Sequence, residues 1–103
     1  MTRWGAARTV VEEPDAQKAI DKATASDDYS RFDDAWEAAK WLLARKGATL
    51  GRTQIKDGVE YRLYKVAGDD VAKTPDIAVV YTVTEDEVMV VAVKVSQPEP
   101  AQE

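Results

Sequence analysis

Any chemistry in this chain of 103 residues has to be done without histidine and without cysteine, since neither occurs. Their absence removes the commonest general base, the commonest metal ligand, the thiolate nucleophile and the disulfide together. Acid–base work would then rest on lysine, tyrosine or a carboxylate, and no pair of these is spaced so as to imply a perturbed site. The sequence therefore predicts no catalytic residue, no metal and no cofactor. Two groups of candidate binding residues remain. One is Trp41 with its neighbours Lys40 and Arg45, and the other is Arg62, Lys65 and Lys94, three cations that can line one face of a sheet.

Trp41 is singled out by the helix that must carry it. Phe32, Ala35, Trp36, Ala39, Leu42 and Leu43 recur at helical spacing and predict a helix over 31–46 whose apolar stripe covers the core. Ser30 stands where a side-chain N-cap is wanted, and Gly47 follows Arg45 and Lys46 where a left-handed C-cap is wanted. At roughly 100° per residue, Trp41 points nearly opposite Phe32, among Glu37, Ala38, Ala44 and Arg45. An aromatic anchor in a partly basic surround has the composition of an interface hot spot. The bland alternative packs it under Trp4 or against a preceding helix. That helix spans 15–24 on the spacing of Ala16, Ala19, Ile20 and Ala23, with Pro14 and Asp15 suited to its first turn.

The sheet is organised around residues 76–95, two β-branched runs joined by an acidic turn. Ile77, Val79, Tyr81 and Val83 alternate with Ala78 and Val80, and Val88 and Val90 alternate with Met89, Val91, Val93 and Val95. Both faces are too apolar to be freely solvated, so these are central strands. Thr53–Lys56 and Val59–Val66 flank Asp57-Gly58, the strongest short signal for a tight hairpin. Arg8–Glu12 is a further short strand, and 67–75 reads as a long loop. The expected fold is α+β, a mainly antiparallel sheet of about four strands with two helices on one face, in the order β-α-α-β-β-β. One domain spans 1–96, followed by a tail, 97–103, of disordered acidic composition.

Net charge is -5 and the pI is near 4.7, which argues against a general nucleic-acid binder. The balance is uneven. Between 34 and 56, five cations face two carboxylates, a local excess of +3. No apolar run approaches the ~18 residues of a membrane span, and no apolar signal core opens the chain, so a cytoplasmic location is expected.

The segment Glu60-Tyr-Arg-Leu-Tyr64, then Ile77-Ala-Val-Val-Tyr-Thr-Val83, an acidic turn and Val88-Met-Val-Val-Ala-Val93 resembles the C-terminal half of the RelE/ParE superfamily of bacterial toxins. Over about 7–96 the order of strand, helical hairpin and antiparallel strands is similar too. Ribonuclease members of that superfamily grip and cleave messenger RNA with sheet arginines and lysines and a C-terminal tyrosine or histidine. Here Ala78 stands before Val79-Val80-Tyr81 where arginine is common, and Ser96-Gln97-Pro98 replaces the C-terminal set, leaving Arg62, Lys65 and Lys94. The resemblance thus implies a toxin-like component of a toxin–antitoxin pair, acting through a protein partner and without ribonuclease activity. Against it stands a second class, an acidic inhibitor or immunity-type module whose carboxylates imitate a phosphate surface.

Overall fold

The computed structural model describes residues 7–26, 31–69, 71 and 74–97. Trp4, Ser30 and the tail beyond Gln97 lie outside them. The elements run β1 (Thr9–Glu12), α1 (Pro14–Thr24), α2 (Phe32–Lys46), β2 (Arg52–Lys56), β3 (Val59–Val66), β4 (Asp76–Val83) and β5 (Glu87–Ser96). The class is α+β, as the periodicities require. The sheet has five strands in the order β1-β5-β4-β3-β2, one more than the four or so expected. Four are antiparallel neighbours, and β1 joins β5 in parallel.

Both helices lie on one side of this sheet because their apolar stripes have only one place to go. Ala16, Ile20 and Ala23 of α1 and Phe32, Trp36, Ala39 and Leu43 of α2 close over Ile77, Val79 and Tyr81 of β4 and Val88 and Val90 of β5. Phe32 and Trp36 stack with ring centroids 6.4 Å apart. Indole Nε1 of Trp36 donates to Oε2 of Glu12 at 3.1 Å, so the one polar atom of a ring only 4% exposed is satisfied from β1.

At the ends of α2, the expected Ser30 cap falls outside the described residues and the expected left-handed Gly47 needs correction. The N-cap position of the helix is Arg31, with no side-chain cap; the Arg31 guanidinium instead pairs with Asp34 at 2.7 Å. Gly47 is right-handed, at φ -53° and ψ -33°, so the helix does not end in a left-handed residue there. The chain continues through a tight turn in which Leu50 N–H donates to Lys46 O. The left-handed position comes later, at Gly51 (φ +70°), where a Cβ would sit 2.1 Å from Leu63 O. Asp57 and Gly58 are both at positive φ, the type I′ geometry expected of that dipeptide.

Alternation in β5 is broken by a bulge. Val80 pairs with Ala92 and Tyr81 with Val90, leaving Val91 without a partner. Beyond it the parity reverses. Val93 and Val95 pair with Val79 and Ile77 and pack on the core, whereas unbroken alternation sets them opposite Val88 and Val90.

Candidate functional site

The bulge decides the composition of the sheet's other face, over which no described helix lies. Lys94 would follow Val88 and Val90 toward the core in a regular strand. Displaced by Val91, it pairs with Ala78, which pairs on its other side with Lys65. The two lysines thus stand on one face, two strand spacings or roughly 10 Å apart, with only a methyl group between them. They flank a groove of about 450 Å³ shared with Asp76 and Ser96. The Asp76 carboxylate is already engaged, its Oδ1 accepting from Gly68 N–H at 2.6 Å.

Register fixes the rest of this face. Val11 of β1, Met89 of β5, Val80 of β4 and Leu63 and Tyr61 of β3 share it, all half-buried. Arg52, Gln54 and Lys56 extend it on β2, opposite Leu63, Tyr61 and Val59. The result is an apolar centre with Arg52, Lys56, Lys65 and Lys94 toward its margins and Asp76 and Glu87 at strand ends. Among the described residues, ion pairs occur only at Arg31–Asp34 and Lys40–Glu37, so these four cations are unneutralised. A chain of net charge -5 has gathered unpaired positive charge around an apolar patch.

Arg62 does not belong to this group. It alternates with Leu63, faces the helix side, and is half-buried there. Its Nε donates to Leu50 O at 2.8 Å and its Nη1 to Thr53 Oγ1 at 2.9 Å. Beside it the Tyr81 hydroxyl, on a fully buried ring, donates to Gly47 O at 2.8 Å and lies 3.1 Å from Leu50 O. Burial pushes the Tyr81 hydroxyl above its ordinary value, with the Arg62 charge pulling partly the other way. This pair fastens the turn after α2 to the sheet, with the Tyr81 hydroxyl buried and the Arg62 guanidinium committed to Leu50 O and Thr53 Oγ1. Arg62 is structural.

The other predicted group sits on the opposite side of the molecule. Trp41 is 54% exposed on the outer surface of α2, and the Arg45 guanidinium lies over its ring at 4.2 Å while Nη1 donates to Trp41 O. The described ring partner of Trp41 is thus Arg45 from its own helix, and Trp4 lies outside the described residues. Lys40 turns away to Glu37 at 2.8 Å. Trp41 and Arg45 are joined and Lys40 is spent on a neighbour.

Sequence reasoning found Lys65 and Lys94 but placed Arg62 with them, and it missed Arg52 and Lys56 as members of the same face. The Asp57-Gly58 turn held the missing signal, because a two-residue hairpin sets Lys56 opposite Val59 and thereby the parity of all of β2. Nothing comparable announced the bulge. Among the described residues no group of His, Asp or Glu side chains is arranged to hold a metal, and no helix is long and apolar enough to cross a membrane. Compared with models of protein families, with curated proteins and with solved structures, the chain matches none.

Proposed function

We propose that this protein works by binding another protein across its helix-free sheet face, as the toxin-like component of a toxin–antitoxin pair that acts without cleaving RNA. The observation that carries the reading is the face itself, half-buried Val11, Leu63, Val80 and Met89 with Arg52, Lys56, Lys65 and Lys94 around them and no ion pair to neutralise those charges among the described residues. An apolar centre inside a charged margin is the anatomy of a protein interface. The matching surface is a segment with apolar side chains flanked by carboxylates. A strand of RNA is a poorer match, since base stacking wants a row of aromatic rings and Tyr61 is the aromatic residue this face presents among the described ones. The element order, one strand and a helical hairpin before four antiparallel strands, supports the toxin-like form of the reading.

The acidic-inhibitor reading draws less support from the charge layout. Asp15 and Asp21 lie on α1, Asp33, Asp34 and Glu37 on α2, and Glu85–Glu87 in the last hairpin. The carboxylates of α1 and α2 lie on the helix side of the sheet, and those of the last hairpin lie at a strand end, with no described feature among them that would define a phosphate-mimicking site.

Expression of the chain alone should arrest bacterial growth, and co-expression of the short open reading frame beside its gene should relieve the arrest by forming a one-to-one complex. The double variant Val80→Asp, Met89→Asp, on the free face, should keep the wild-type circular dichroism and lose both effects. Normal growth at high expression, with no complex formed, would remove the toxin-like reading.

A further inference from the structure

We propose that β2 is a docking edge for an extended, acidic segment of a partner protein, which adds to the sheet as a sixth strand. This rests on the protein-binding reading above but uses the rim of the sheet in place of its face. The two rims differ. β1 is four residues long with α2 against it and Trp36 bonded to its Glu12. β2, at the other end of the strand order, is exposed at all five positions, contains no proline, and has no described element beside it.

Hairpin geometry defines what this rim offers. A two-residue turn closed by Lys56 and Val59 makes Lys56, Gln54 and Arg52 the residues that exchange backbone hydrogen bonds with β3. Thr53 and Ile55 therefore direct their N–H and C=O groups outward, two donors and two acceptors free to pair. Arg62 helps hold this strand in place through Thr53 Oγ1. Side chains select the occupant. Arg52 and Lys56 lie on the free face of the sheet, while Ile55, 74% exposed, lies on the helix side with nothing over it.

A second copy of the chain is the occupant that an open edge usually attracts, and here charge disfavours it. Antiparallel pairing of β2 with itself over its full length centres on Gln54 and sets Arg52 directly opposite Lys56, twice. Like charges opposite one another destabilise a strand pair. The same two cations attract a strand with carboxylates at those two positions and apolar residues opposite Thr53 and Ile55. Alternation of acidic and β-branched residues over five positions is thus the recognition rule.

The probe is a capped peptide, Gly-Glu-Val-Thr-Val-Glu-Gly, followed by fluorescence anisotropy and by amide hydrogen exchange on the full chain. Saturable binding is expected, with new protection at the Thr53 and Ile55 amides. Reversing Arg52 and Lys56 to Glu should weaken it by roughly tenfold. Ile55→Pro removes an outward N–H at a position where an edge tolerates proline and should abolish it. A peptide N-methylated at the amides that face β2 should also fail, and that control leaves the protein unchanged. Three results would overturn the inference. In the first, no saturation is reached up to millimolar peptide, so that Arg52 and Lys56 merely guard the edge. In the second, the wild type is a dimer that Ile55→Pro dissociates, making the occupant a second copy. In the third, binding survives N-methylation and Ile55→Pro but is lost in Lys65→Glu, Lys94→Glu, placing the peptide on the sheet face and leaving the protein-binding reading intact.

Discussion

Tyr81 shows how a side chain that looks chemical can be entirely architectural. Its hydroxyl is the buried polar atom at the junction of β4 and the turn after α2, and it bonds Gly47 O and Leu50 O, the second of which Arg62 also serves. Tyr81→Phe should cost about 1–2 kcal/mol near neutral pH by leaving Gly47 O short of a donor. The pH dependence follows from burial, which raises the folded-state value above the ordinary 10.0. A raised value means that the stabilisation is complete below about pH 10 and is lost as pH climbs through the folded-state value. Chemical denaturation between pH 8 and 11.5 should therefore show the wild type falling toward the Phe variant. A gap that stays constant across that range would mean that the hydroxyl titrates alike in both states. At this scale the sequence was legible for side chains that follow a period and silent for those that follow a turn. Trp41 was visible as a misfit, but nothing in Glu60–Tyr64 distinguished an arginine that grips a ligand from one that ties down its own loop.

At the scale of elements, the stripe of α2 and the alternation of β4 were readable because each serves a single packed face. Both run for many residues, so one misplaced side chain does not hide the pattern. The errors fell where a local backbone device overrides the period. Residues 47–51 postpone the left-handed turn by four positions, and Val91 reverses the parity of half a strand. Such devices occupy one residue and have no composition of their own. Trp36 tests the stripe directly, since it packs on Phe32 and bonds Glu12, linking α2 to the edge strand β1. Trp36→Ala should cost about 3–5 kcal/mol, much of the roughly 5–10 kcal/mol available to a domain of this size. Urea unfolding of that variant reads the effect, and an unchanged midpoint would mean that α2 is not held by this face.

For the molecule as a whole, the arrangement of charge bears most directly on activity. Overall negative charge repels a polyanion at long range, and the cations that oppose this are few and set at the margins of an apolar surface. Lys65 and Lys94 could hold a single phosphate across Ala78, but holding is not cleaving. In-line cleavage of RNA needs a base and an acid at one site. The tyrosine that burial perturbs, Tyr81, is shifted upward, away from neutrality, and is sealed under the helices. The protein should therefore leave messenger RNA intact on translating ribosomes, and any binding of RNA oligonucleotides should disappear between 50 and about 200 mM salt. The informative control is Lys65→Ala, Lys94→Ala. Arg62 is unsuitable, since removing it would take one of two donors from Leu50 O and the guanidinium partner from Thr53 Oγ1, and would confuse a loss of fold with a loss of chemistry. Robust cleavage by the wild type, lost in that double variant while its melting temperature holds, would make the Lys65–Lys94 groove an active site and the free face a nuclease surface.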